Sequence, residues 1–373
     1  VPIGVIELPS FYGPSPDGED KNSASHDVEE LIGKLKEIGV RGIVLDLRRN
    51  GGGLLAEAID LTGLFIRVGP VVQVRNTRGY VRELLDRNPR VVWGGPLVVL
   101  TSRYSASASE IVAGALKNHN RAVVVGDSAT HGKGTVQAIY EMESGGSLLT
   151  PGKTVGAAKL TIQQFYLPSG SSTQIKGVPS DIALPSLNEH LPIGEDDLNN
   201  ALVWDKIDPS PWDFGNNELV EYLRENSLER QDTLEEFTYL KRNVEWFRQK
   251  QERESVSLNL ETRRKQRLAD NEFRDTMEDE LRMLAEEEFM NEEILLKVTL
   301  DQQEEHNRII EKDGEDEAEM LAGEDEEAVP DFDIHLRESL RIMLDWIERL
   351  DQGEERLAKA QTSGESGETA KAR

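Results

Sequence analysis

Short apolar runs alternate with helix-forming stretches through the first half of this chain, and that alternation restricts it to a sheet covered by helices. Residues 1–8 and 40–47 read as strands, the second (Val-Arg-Gly-Ile-Val-Leu-Asp-Leu) as a buried one. Residues 71–74, 97–100 and 121–125 add further strands, and residues 161–166 alternate as another. Between them, Val28, Leu31, Ile32, Leu35 and Ile38 share one face at helical spacing. Residues 55–65 and 110–116 read as two more helices, and residues 13–25 and 168–177 as loops. The expected class is α/β.

The character changes near residues 186–200. Residues 1–190 carry 19 acidic and 19 basic side chains, whereas residues 191–373 carry 51 and 24, so the whole net charge of -27 lies in the second half. Apolar residues there keep helical spacing: Val220, Leu223, Leu228, Leu234 and Phe237 in one stretch, residues 273–298 in another, and an amphipathic run over 337–347. Residues 314–327 are expected to be a mobile acidic link. The expected organisation is a core over 1–190, an acidic, mainly helical domain over 191–352 and a disordered tail over 353–373. Such a surface suits no nucleic acid, and a solvated helical face accounts for it better than a specific basic partner.

The absence of cysteine excludes disulfides, thiolate catalysis and a cysteine zinc site, and is compatible with an oxidising compartment. The six histidines are scattered without metal-ligand spacing, so no metal and no cofactor are expected. No apolar run reaches transmembrane length. The chain opens on a strand without an initiator methionine, which reads as a fragment of a longer precursor.

Two runs carry chemistry. Ser105-Ala106-Ser107-Ala108-Ser109-Glu110 stands where the strand at 96–100 gives way to a helix. A hydroxyl at such a turn faces the helix amino terminus, whose free N–H groups stabilise a developing oxyanion. Gly132-Lys133-Gly134-Thr135-Val136-Gln137 follows, with Lys133 26 residues after Ser107. A lysine becomes a usable base when burial lowers its pKa, and serine with such a lysine is a known nucleophile–base pair. The plainer readings are tight packing or an N-cap for the serines and a solvated turn for the lysine. Residue chemistry alone does not rank Ser107 above Ser105 and Ser109. Asp46 reads better as a strand-end carboxylate bonded to turn N–H groups than as a triad acid. His131 reads as a wall residue near the lysine.

These runs, with Asp46-Leu47-Arg48-Arg49-Asn50-Gly51-Gly52-Gly53, resemble the carboxy-terminal processing peptidases, serine peptidases also called tail-specific proteases. The similarity continues through Gly69-Pro70-Val71-Val72-Gln73-Val74-Arg75, Thr161-Ile162-Gln163-Gln164-Phe165-Tyr166 and Ser172-Thr173-Gln174-Ile175-Lys176-Gly177, and covers most of residues 1–190. Trp204-Asp205-Lys206-Ile207-Asp208 and the acidic helices resemble the carboxy-terminal extension of the long subgroup. The resemblance implies a ClpP/crotonase-like α/β core followed by a mainly α-helical acidic domain. It implies Ser107 as nucleophile, Lys133 as general base, Gln137 as the residue that orients the lysine, and the N–H groups of Ala108 and Gly53 as the oxyanion hole.

By the same resemblance, the substrates are proteins with accessible apolar carboxy-terminal tails and the location is the bacterial periplasm or cell envelope, with membrane association. The segment 126–132 is one residue longer than the commonest loop of the family. A PDZ domain that reads substrate tails is expected upstream, with this chain beginning just after it. The rival readings are a non-catalytic scaffold whose acidic helices bind an adaptor protein, and an acyl-CoA enzyme of the crotonase type.

Overall fold

The computed structural model describes residues 1–14, 22–143, 154–213, 218–253, 255–286, 290–294, 296 and 332–368. The link expected at 314–327 lies outside them. Five parallel strands form the central sheet: β1 (Ile3–Glu7), β2 (Gly42–Asp46), β5 (Leu97–Thr101), β6 (Val123–Gly126) and β9 (Ile182–Ala183), adjacent in that order. A second, antiparallel sheet has the order β4 (Val81–Asp86), β3 (Gly69–Asn76), β8 (Thr154–Tyr166) and β7 (Thr135–Glu143). The mixed α/β class expected from sequence is the one observed.

The strands β2, β5 and β6 are buried at every position, and their continuous apolar runs follow from cover on both faces. Ile43, Leu45, Leu97, Val99 and Val124 face a core built with α1 (Ala24–Ile38), α2 (Leu55–Gly63) and α3 (Ala108–Asn118). α1 starts where Ser23 Oγ accepts from His26 N and stops at Gly39, whose φ of 84° suits glycine. The opposite face presents Val44, Val98, Leu100, Val123 and Val125. It is covered by Val220 and Leu223 of α4 (Glu218–Thr233), Phe237 of α5 (Glu235–Gln251), and Ile342, Met343 and Ile347 of the last helix, α7 (Ile334–Glu368). Each such side chain contributes about 1.5–3 kcal/mol by leaving water. The acidic second half therefore completes the core of the first. A Cβ on Gly42 would run into Met343 Sδ, so any side chain there would displace Met343 from its seat.

The helices differ from expectation in extent. The stretch read as helical over 219–240 is two helices, because Leu234 turns into extended backbone (ψ 139°) and packs against the sheet cover. The helix expected over 273–298 is α6 (Leu260–Leu284), which starts where Asn259 caps Thr262 N. Helix α7 runs to Glu368, so residues 353–368, expected as a tail, continue a helix; the stretch Glu354-Glu355-Arg356-Leu357-Ala358-Lys359-Ala360 is made of strong helix formers.

Buried ion pairs lock α7 to its neighbours. Arg230 of α4 donates to Glu338 (2.9 Å) and Asp345 (2.8 Å), and Glu338 is fully buried. Burial pushes the Glu338 carboxyl up, and the Arg230 hydrogen bond and charge oppose that. Arg230→Ala is expected to cost about 3–5 kcal/mol by stranding Glu338, which a denaturant melt would show as a lowered midpoint at unchanged slope.

Candidate active site

Strand β5 ends in a turn that delivers Ser107 to the N-cap position of α3, just before Ala108. Ser107 holds φ 59° and ψ -110°, a conformation that costs a non-glycine residue about 1–3 kcal/mol. The three serines separate clearly. Ser105 Oγ donates to Leu47 O (2.8 Å), Ser109 Oγ donates to Asn50 O (2.8 Å), and both residues are fully buried. Ser107 is half-buried at the turn. Packing thus occupies two hydroxyls and leaves the middle one near solvent.

Residues 50–53 pack directly on this turn. Asn50 Nδ2 donates to Leu8 O, its Oδ1 accepts from Gly52 N (2.9 Å), and its carbonyl accepts from Ala106 N (3.1 Å). A methyl on Gly52 would stand 2.8 Å from Ser107 Cβ and 3.1 Å from Ala108 N, so only glycine allows the approach, and its φ of 106° requires glycine as well. Gly53 is exposed and has φ 150°. Among the described residues, no hydrogen bond engages the N–H of Gly53 or of Ala108, the first residue of α3. Helix geometry leaves the second of these without an internal partner.

Glu110 joins the serine turn to the lysine turn. Its fully buried carboxylate accepts from Thr130 Oγ1 (2.7 Å) and Gly132 N (2.8 Å) at one oxygen, and from Ser107 N (2.7 Å) and Lys133 N (3.0 Å) at the other. Burial pushes this carboxyl up to about 7, against the four hydrogen bonds that favour the anion. One carboxylate oxygen thus bridges the backbones of Ser107 and Lys133. Thr173 Oγ1 donates to Lys133 O (2.9 Å) and Gln174 Oε1 accepts from Gly134 N (2.8 Å), fixing the turn from its far side.

The Lys133 side chain is half-buried and its Nζ lies 3.4 Å from Gln137 Oε1. Burial lowers its pKa, the charge of Lys159 lowers it further, and Glu195 and Glu110 oppose both. A glutamine partner bonds the amine without adding charge, whereas a carboxylate would favour the ammonium. The other candidates are accounted for locally. Asp46 accepts from Arg48 N (3.0 Å) and from the Arg48 guanidinium. His131 N donates to Ser105 O, and its ring stands 3.8 Å from Glu195.

Residues 2–184 match the family model described as peptidase family S41, and residues 188–348 match that of the C-terminal domain of tail specific protease. The chain belongs to peptidase family S41. This S41 chain is 37% identical over 273 residues to the tail-specific protease of Haemophilus influenzae, a match covering 70% of the chain and 37% of that relative. It is 34% identical over 185 residues to carboxyl-terminal-processing peptidase 2, chloroplastic, of Arabidopsis thaliana, covering 49% of the chain and 32% of the relative. It thus spans about a third of the length of these curated relatives. Among solved structures, the photosystem II D1 C-terminal processing protease aligns with a TM-score of 0.40 at 28% identity, over 49% of this chain and 42% of that one.

Sequence reasoning about this S41 chain missed Glu110 and Asn50. A glutamate three residues after Ser107 is the spacing of a capping box, and that signal was present. Its reach to the lysine turn was not, because 23 residues separate Glu110 from Lys133.

Proposed function

We propose that this chain carries the catalytic centre of a serine endopeptidase of the carboxy-terminal processing type, working through Ser107 and Lys133. The observation that carries the reading is the Glu110 carboxylate, which bonds the backbones of both residues while burial and the charge of Lys159 lower the Lys133 pKa and Gln137 holds the amine without adding charge. Neutral Lys133 takes the Ser107 proton as Oγ attacks the scissile carbonyl. The oxyanion sits between the N–H groups of Gly53 and Ala108. The ammonium of Lys133 then protonates the leaving amine, and water hydrolyses the acyl-enzyme.

Substrates on this reading are proteins with accessible apolar carboxy-terminal tails, and the setting is a bacterial cell envelope. Among the described residues, no helix is long and apolar enough to cross a membrane. The test is cleavage of a peptide with an unstructured apolar tail by the chain, Ser107→Ala and Lys133→Ala. Turnover by the unaltered chain alone is expected, and equal turnover by all three would remove the peptidase reading.

The base also sets a pH dependence. Activity needs neutral Lys133, so kcat/KM rises with pH through a lysine pKa below 10.5. Lys159→Gln removes a positive charge that lowers that pKa, so the acidic limb of the profile is expected to move to higher pH. A profile left in place would show that Lys133 does not titrate in that limb.

A further inference from the structure

We propose, on the Ser107 and Lys133 chemistry set out above, that Asp333 at the start of α7 is a positioning residue for the reaction, holding the oxyanion turn in place through Arg48. The Arg48 guanidinium lies between two carboxylates. Its Nε and Nη2 donate to Asp46 at the end of β2 (3.0 and 2.6 Å). Its Nη1 donates to Asp333 Oδ1 (2.8 Å), and Nη2 lies 2.6 Å from Asp333 Oδ2. Such paired contacts fix the plane of a guanidinium as well as its position. Burial pushes the Asp333 carboxyl up, and Arg48 more than offsets this, so it lies below its ordinary value.

The Arg48 backbone is tied to the site on the other side. Its carbonyl accepts from Ser102 Oγ, and Ser102 N donates to Ser105 Oγ (2.9 Å) within the turn that presents Ser107. Two residues on stands Asn50, which holds Gly52 N and accepts from Ala106 N. Asp333 therefore sits one side chain away from the segment that supplies the Gly53 donor and, through the Asn50 carbonyl, braces the turn that leads to Ala108. It is itself fixed, because Oδ1 also accepts from Leu336 N (2.9 Å) as the cap of α7. A helix 285 residues distant in sequence completes the catalytic turn.

A second contact between the same helix and the core serves as the control. Arg41, beside β2, pairs with Asp351 of α7 (2.9 and 2.6 Å) at an exposed position away from residues 48–53. The experiment measures the rate at which a fluorophosphonate, which needs the nucleophile and the oxyanion donors but no tail recognition, labels Ser107 in the full chain, and the kcat and KM of peptide cleavage. Asp333→Asn keeps an oxygen to cap α7 but loses the charge. Labelling and kcat are expected to fall about tenfold with KM unchanged, to recover in Asp333→Glu, and to stay at the unaltered rate in Asp351→Asn. Unchanged labelling in Asp333→Asn, or an equal fall in Asp351→Asn, would overturn the role by showing helix docking alone. An unaltered chain that resists labelling, or labels equally as Ser107→Ala, would instead remove the Ser107 chemistry, and this role with it.

Discussion

Lys133→Ala is expected to lower kcat for peptide cleavage by about 10⁴-fold or more, with KM changed by less than about threefold. The side chain is removed but the Lys133 N–H that bonds Glu110 remains, so the turn keeps its anchor. On the proposed mechanism, neither of the other two candidates from the sequence takes over as base. The His131 ring is directed at Glu195, and Asp46 is committed to Arg48. Lys133→Arg is expected to be equally inactive, since a guanidinium does not become neutral in a protein. Steady-state kinetics on one peptide tests both. Residual activity within tenfold of the unaltered chain would transfer the role of base to another group.

Glu110→Ala is expected to be the most damaging change outside the reacting groups. It removes the acceptor of three N–H groups, one buried and two part-buried, and of the Thr130 hydroxyl proton. At about 1–3 kcal/mol for each unsatisfied group, the loss is about 4 kcal/mol or more, and the serine and lysine turns lose their common anchor. Glu110→Gln is expected to be milder. Its amide NH₂ placed toward Thr130 and Gly132 meets one hydroxyl able to turn and accept, so only the Gly132 bond is lost, while the oxygen still serves Ser107 and Lys133. Denaturant melts should rank the alanine variant well below the glutamine variant, with activity in the same order. Equal stability of all three proteins would deny Glu110 its bridging role.

Much of the fold was legible because buried strands write themselves as apolar runs. Residues 40–47 and 97–100 read as strands for that reason, and they are the ones covered on both faces. Strand β7 was missed because it starts two residues after Lys133, where a glycine-flanked turn dominates the reading. The first part of β8 was missed because Gly156, Ala157, Ala158 and Lys159 have weak strand preference. Cross-strand pairing with residues 139–142 holds them extended.

The candidate serine and lysine were visible as motifs. What ranks Ser107 above Ser105 and Ser109 is their packing against Leu47 and Asn50, which needs three dimensions. The helical spacing over 219–240 and the amphipathic run over 337–347 were legible, but their target was not: periodicity marks a buried face without saying what buries it. High charge marked out the second half, but charge carries no sign that Leu223, Phe237, Ile342 and Met343 seat against Val44, Val98 and Leu100.

That two-sided sheet bears on biosynthesis. A ribosome releases β6 more than two hundred residues before Met343, a delay of roughly ten seconds or more at ordinary elongation rates. During that interval the underside of the sheet lacks first the cover of α4 and α5 and then that of α7, an apolar surface a holdase would bind, and Arg48 awaits its second carboxylate. On the role proposed for Asp333, the oxyanion turn is not held in place until that last helix has docked.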